Sequence, residues 1–269
     1  MKKSRPRLRE LSSGEATVHP TAVVDPRAHL EAGVEVGPYC VVGPEVHVGA
    51  GTVLVSHVVV HGKTRLGRGV SVHPFASVGG PPQVRPRGGG EGELAEGTLV
   101  VGDGVVVREN VTLHVGTGGG ETVVGEGSLL MASSHVGHDA RVGRHVVVAN
   151  GVQLAGHVTI EDHVTFGGLA GVAQHVRVGE SAFVAAGAMC EVDVPPFVIV
   201  QGDRARVRAL NKVGLRRRGV SDTSIEALER VFRVLFVRAD GTRKARLEAL
   251  APEADPLARA LVAWVAART

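Results

Sequence analysis

The sequence predicts a parallel β-helix, a prism with three flat faces, closed at its C-terminal end by an α-helical cap. Three observations predict it. Aliphatic residues recur every six positions, glycine commonly follows the recurring residue, and the pattern stops at Pro195-Pro196, where charged, helix-spaced sequence begins. A period of six suits neither a 3.6-residue helix nor a plain alternating strand.

Stepping by six from Val18 meets Val24, Leu30, Val36, Val42, Val48, Leu54, Val60, Leu66, Val72 and Val78 without a failure. The register resumes at Val101, Val107 and Leu113. It resumes again at Val124 and continues through Leu130, Val136, Val142, Val148, Leu154, Ile160, Phe166, Val172, Val178 and Val184. Each unit supplies one face and one corner, with the branched side chain on the axis and a small residue, such as Gly37, Gly43, Gly137 or Gly143, where the chain turns. Three units make a coil of 18 residues, so residues 18 apart stack. The run gives about eight coils, which at ~4.8 Å per rung stand ~40 Å tall. Each coil covers its apolar rows only by stacking on another.

The chain divides into a basic tail over residues 1–17, a prism over 18–202 with an excursion at 79–97, and a helical segment over 203–269. The tail carries Lys2, Lys3, Arg5, Arg7 and Arg9 with no apolar stretch behind them, unlike a signal peptide. A second, shorter Gly-rich interruption spans Thr117 to Glu121. In the cap, Ile225, Leu228, Val231, Phe232, Leu235 and Phe236 follow helical spacing behind an N-cap at Ser221 or Asp222. A second helix is expected from Pro256 to Ala267 behind Asp255.

Composition excludes several classes. A formal charge of +3 on 57 charged side chains gives no reason to expect nucleic-acid binding. No window approaches the ~18 apolar residues of a membrane helix. Cys40 and Cys190 form no metal or redox spacing and read as reduced thiols of a cytoplasmic protein.

One cluster carries chemistry. Ser134-His135-Val136-Gly137-His138-Asp139 is followed one coil later by Ala155-Gly156-His157, which places Gly156 beside His138 and His157 beside Asp139. Such a patch suits acyl transfer from a thioester. A hydroxyl needs a base of near-neutral pKa, which histidine supplies, and the oxyanion needs a fixed donor, which a corner glycine N–H supplies. A thiolate leaves without a strong acid. The competing uses are a zinc site on His135, His138 and His157, or a non-catalytic surface.

The motifs VHPTAVV, VGPYCVVGP, RENVTLHVGT, LLMASSHVGHD, LAGHVTI, DVPPFVIVQGD and GLRRRGVS resemble the acyl-carrier-protein–UDP-N-acetylglucosamine O-acyltransferases, hexapeptide-repeat enzymes that begin lipid A synthesis. The resemblance runs from Val18 to the C-terminus. It implies a left-handed helix and a homotrimer with active sites between neighbouring subunits. It also implies transfer of an (R)-3-hydroxyacyl group from acyl carrier protein to the 3-hydroxyl of UDP-N-acetylglucosamine, without cofactor or metal. On this resemblance His138 is the general base, Asp139 supports it and Gly156 stabilises the oxyanion. His135, His157 and Gln174 line the substrate region, Asn211, Arg217 and Arg218 approach the UDP phosphates, and Ala186 sits at the acyl-chain ruler. The sequence departs from the family in three places. The loop acid and lysine that usually follow Pro-Gln are replaced by Val84, Arg85, Pro86 and Arg87; a usual histidine is Ala173; a usual cap acid is Val213. These changes point to a related transferase with a different UDP-sugar acceptor, such as a 3-amino sugar, as the alternative.

Overall fold

The computed structural model describes residues 14–84, 97–237 and 241–268. The basic residues of the N-terminal tail, and Arg85 and Arg87 of the excursion, lie outside them. Short parallel strands, mostly of two residues, build three sheets of eleven, nine and eight strands, each sheet one face of a prism. Strands three apart in sequence are neighbours on a face, so the chain winds through all three faces in turn.

The ladder shows the coil length directly. Val18 pairs with Val36, Val36 with Leu54 and Leu154 with Val172, each 18 residues apart. Across the two interruptions the offset widens, from Leu66 to Val101 and from Val101 to Val124, yet the rungs stay in register. Among the described residues, the one irregularity in the parallel rungs is a register shift between Val78 and Gly80, where the first insertion begins. The strand before the first insertion runs Ser77–Gly80 and the strand after it Thr98–Val101.

From Val36 onward every residue of the six-residue series is at most 3% exposed. Val18, at 41%, and the partly buried Val24 and Leu30 depart from this because, among the described residues, no coil lies beneath them. A second inward row sits two positions earlier and holds smaller residues, among them Val34, Cys40, Val58, Ala140, Val152 and Ala170. At Thr52, a polar member of this row, the hydroxyl is satisfied: Oγ1 donates to the Gly67 carbonyl at 2.8 Å and accepts the Val70 N–H at 3.1 Å.

The glycines that follow the series turn the chain in an unexpected way. Left-handed backbone falls not at them but two residues later, at Tyr39, Asp139, His145, Leu169 and Ser181. The glycines instead permit coils to touch: a Cβ on Gly125 would stand 2.4 Å from the Gly143 carbonyl carbon.

The segment from residue 203 differs from the expected all-helical cap. It opens with a strand, Arg206–Leu210, antiparallel to Val198–Gln201, which extends the eleven-stranded face. Among the described residues four helices follow: α1 (Lys212–Arg217), α2 (Asp222–Phe232), α3 (Arg243–Ala249) and α4 (Pro256–Ala266). Ser221 caps α2 and Asp255 caps α4, their side chains accepting backbone N–H groups. A π-helical turn, Arg233–Val237, follows α2 where the sequence suggested a continued α-helix. Ile225, Leu228 and Val231 of α2 and Leu261 and Val265 of α4 join the same apolar core as the prism. Arg268 pairs with Asp193 at 2.7 Å, tying the last helix to the last coil.

Candidate active site

His138 and Asp139 sit at the corner that leaves the second face. His138 is 6% exposed, and its Nδ1 lies 2.8 Å from Asp139 Oδ2. A carboxylate at that distance accepts, so Nδ1 carries the proton and Nε2 presents its lone pair. Asp139 adopts left-handed backbone (φ 59°), which turns its side chain back beside its own neighbour. The carboxylate is fixed from below by Thr117, whose N–H donates at 3.1 Å and whose hydroxyl donates at 2.8 Å. Burial pushes the Asp139 carboxyl upward, but donors from His138 and Thr117 together outweigh it, so its pKa lies below the ordinary value.

Gly156 lies one coil above, against the imidazole. A Cβ there would stand 2.6 Å from both Cε1 and Nε2 of His138, so only a glycine leaves the ring in place. The backbone N–H of His157 donates to the His138 carbonyl at 2.9 Å, which locks the two coils in this register. No hydrogen bond to the Gly156 N–H is made among the described residues. His157 Nε2 is 3.8 Å from Asp139 Oδ2, and its ring meets His138 edge-on at 5.0 Å while stacking on His175 at 4.7 Å.

A cleft of about 520 Å³ opens beside His138, lined by Gln83, His114, His135, Gly156, Gln174 and Met189 among others. His135 Nδ1 lies 2.8 Å from Thr112 Oγ1. Burial, then the neighbouring His114 and His138, push the His135 pKa down from 6.5 to about 4. It is therefore a neutral hydrogen-bonding group at neutral pH. Cys190 forms part of the wall with its thiol pushed up to about 11 by burial, an inert core group.

The cleft thus gathers His135, His138, Gly156 and Gln174, with Asp139 behind His138. His157 stands beside them without lining the cleft. Asn211, Arg217 and Arg218 are elsewhere: with His145, His163 and Phe183 they line a separate cleft of about 440 Å³. Asn211 there accepts the Gly214 N–H at 3.0 Å and donates to the Ser181 carbonyl at 2.9 Å, and Arg218 pairs with Glu180 at 2.8 Å. Ala186 is exposed at a corner beside Gly167 and lines neither cleft. The zinc set read from the sequence does not assemble as such. His138, Asp139 and His157 have ligating atoms within 4.8 Å of one another, but His135 is outside that group.

Two residues of the site escaped the sequence reading. His114, 8% exposed, lies edge-on to His135 at 5.1 Å and meets the Pro81 carbonyl at 2.5 Å, holding the first insertion to the cleft. Thr117 belongs to the shorter insertion. Carrying the rungs through that insertion, where Thr112 pairs with His135, would have placed both beside the cluster.

Relatives carry the same architecture. Residues 121–156 match the bacterial transferase hexapeptide model, and residues 193–269 match the second domain of UDP-N-acetylglucosamine O-acyltransferase. An acyl-[acyl-carrier-protein]–UDP-N-acetylglucosamine O-acyltransferase of Halorhodospira halophila is 46% identical over 243 residues, covering 88% of this chain and 92% of its own. This chain belongs to that acyltransferase family. A counterpart in Myxococcus xanthus is 50% identical over 223 residues, 82% of this chain and 84% of its own. The crystal structure of the UDP-N-acetylglucosamine O-acyltransferase from Moraxella catarrhalis superposes with a TM-score of 0.83 at 36% identity, covering 91% of this chain and 95% of that one. The Francisella novicida enzyme gives 0.85 at 32% identity, covering 91% of this chain and 90% of that one. The prism is accordingly the left-handed β-helix of this acyltransferase family, the handedness that the sequence resemblance implied.

Proposed function

We propose that this chain transfers an (R)-3-hydroxyacyl group from the thioester of acyl carrier protein to the 3-hydroxyl of UDP-N-acetylglucosamine, the first acylation of lipid A synthesis, with His138 as general base. The observation that carries the mechanism is the polarised imidazole. Nδ1 is tied to Asp139, and Nε2 stands at the Gly156 corner of an open cleft.

The step runs as follows. The acceptor hydroxyl gives its proton to Nε2 as its oxygen attacks the thioester carbonyl, and the resulting imidazolium is stabilised by the Asp139 carboxylate. Charge develops on the carbonyl oxygen, where the uncommitted Gly156 N–H donates to it. Collapse breaks the C–S bond, and the proton on Nε2 passes to the departing thiolate. Neutral His135 and Gln174 offer hydrogen bonds to the bound sugar and pantetheine arm, and His157 holds the far side of Asp139.

The acting form is a homotrimer, with the Asn211, Arg217 and Arg218 cleft of one copy completing the His138 cleft of the next. Within one chain these clefts are separate. The apolar groups Val23, Val41, Tyr39, Phe75 and Leu169, all exposed in the single chain, support burial against further copies. Arg217 and Arg218 suit the UDP phosphates, and Ala186 limits the acyl chain. No helix among the described residues is long and apolar enough to cross a membrane, and a cytoplasmic location completes the proposal.

A different UDP-sugar acceptor is the second reading. It is favoured by Val213, 60% exposed in the Arg217 cleft where the family usually has an acid. The test is incubation with 3-hydroxyacyl carrier protein and a panel of UDP-sugars, following thiol release and product mass. We expect an O-acylated UDP-N-acetylglucosamine. Turnover of a 3-amino analogue alone would establish the second reading, and no thiol release with any sugar would refute both.

A further inference from the structure

The third face carries side chains that the acyl-transfer cleft does not use. His29 and His47 hold the same outward position on successive coils, paired in register, with rings stacked at 4.6 Å. Glu31 reaches His47 Nε2 with Oε1 at 2.9 Å and accepts the Ala50 N–H on Oε2 at 2.9 Å. One ligating atom from each of His29, Glu31 and His47 lies within 4.8 Å of the other two. His29 is exposed and its partners are half-buried, so the group is open to solvent. The His47 contact first, and the Ala50 N–H second, hold the Glu31 carboxyl below its ordinary pKa, so it is ionised at neutral pH.

We propose that His29, Glu31 and His47 bind a divalent cation of the zinc class, clasping the first two coils of the prism. Two imidazoles and a carboxylate form a donor set that suits zinc, with the fourth position left to water. Metal–ligand bonds of ~2.0–2.2 Å require the three atoms to draw in to roughly 3.4 Å of one another, a movement that exposed His29 is free to make. The Ala50 N–H orients the carboxylate from behind, as outer-shell donors do for metal ligands. Arg65 follows His47 in the same column, and its positive charge ends the site at the second coil.

The location gives the ion a purpose. Among the described residues the first coil has a neighbour on one side only, and its Val18 and Val23 are 41% and 64% exposed. An ion that binds only the stacked coils stabilises them by mass action, at the end of the prism most prone to fray. Five rungs of the same face separate His29 from Arg141, beside His138. At ~4.8 Å per rung that is about 24 Å, which removes the ion from acyl transfer.

The test is calorimetric titration of the metal-stripped full chain with Zn²⁺, repeated with Co²⁺ for its ligand-field spectrum. Because His138, Asp139 and His157 also converge, His157→Ala is titrated in parallel. We expect one equivalent that survives His157→Ala and is weakened on the order of tenfold or more by His29→Ala or His29→Gln. Zinc should also slow amide exchange over residues 15–50, and His29→Ala should leave acyl transfer unchanged. A plain Glu31–His47 pair needs no His29. Zinc binding as tight in His29→Ala as in the wild type, or no zinc uptake by the wild type, overturns the proposal.

Discussion

At the scale of single residues, the site is a matter of what stands against the His138 imidazole. Gly156 is the most exacting neighbour, because a Cβ would come within 2.6 Å of Nε2 while its backbone lies outside the left-handed region that glycine alone favours. Gly156→Ala should therefore fold, displace the ring and lower kcat by about a hundredfold or more. Wild-type turnover by that variant would show that the imidazole position is not critical. His135 gives a pH signature. Its folded pKa is about 4 against an ordinary 6.5, so between those values the unfolded chain binds the extra proton. Stability should fall as pH drops from 6.5 towards 4, and His135→Gln should flatten that slope in urea denaturation midpoints. Asp139 acts in the same direction, further to the acid side. Its lowered pKa means that its contribution is complete above the ordinary carboxylate value and is lost as pH falls from there through the depressed one. Much of this site was legible because a constant coil length converts sequence distance into spatial contact, which put Gly156 on His138 from spacing alone. Thr117 and His114 were not read because both lie near insertions, where the 18-residue rule gives the wrong partner.

At the scale of elements, corners and caps decide how the parts hold together. Asn211 spans two of them, capping α1 through Gly214 and donating to the Ser181 carbonyl of the prism. Losing a cap together with a buried hydrogen bond costs on the order of 2 kcal/mol, so Asn211→Ala should lower the urea midpoint by a corresponding amount. A variant as stable as the wild type would show that the helical segment is held by its apolar contacts alone. The helices α2 and α4 were legible because each pairs an N-cap residue with an apolar stripe. The helix α3 was not, since none of its residues is fully buried, and a helix without a buried stripe leaves no periodic signal. The strand Arg206–Leu210 was missed for a related reason. Its alternating arginines resemble a charged helix start until the partner Val198–Gln201 is seen beside it.

At the scale of the whole molecule, the prism is a rigid ruler whose uses depend on its neighbours. Tyr39, His57 and Phe75 form a column of rings along one corner, at 4.9 and 5.1 Å centroid spacing, with Tyr39 and Phe75 58% and 61% exposed. Rings this open are costly in a lone chain, and light scattering of the purified protein should give three times the chain mass of 27.9 kDa. Phe75→Glu should shift that mass downward and reduce activity together, since each cleft would lose the copy that completes it. A monomer with full activity would refute the shared-cleft reading. The overall architecture was legible because one repeat dictates every coil. The proposed homotrimer rests on the family resemblance instead, since exposed valines and aromatics suit a covered surface without showing what covers it.

The most direct test of the account is single-turnover thiol release from 3-hydroxyacyl carrier protein, measured with UDP-N-acetylglucosamine for the wild type and His138→Ala. Circular dichroism and light scattering would check that fold and assembly are kept. We expect the variant to be slower by about 10² to 10⁴, the range for loss of a positioned base. An unchanged rate in a well-folded variant would contradict the account, because no other group is then needed to take the hydroxyl proton at this corner.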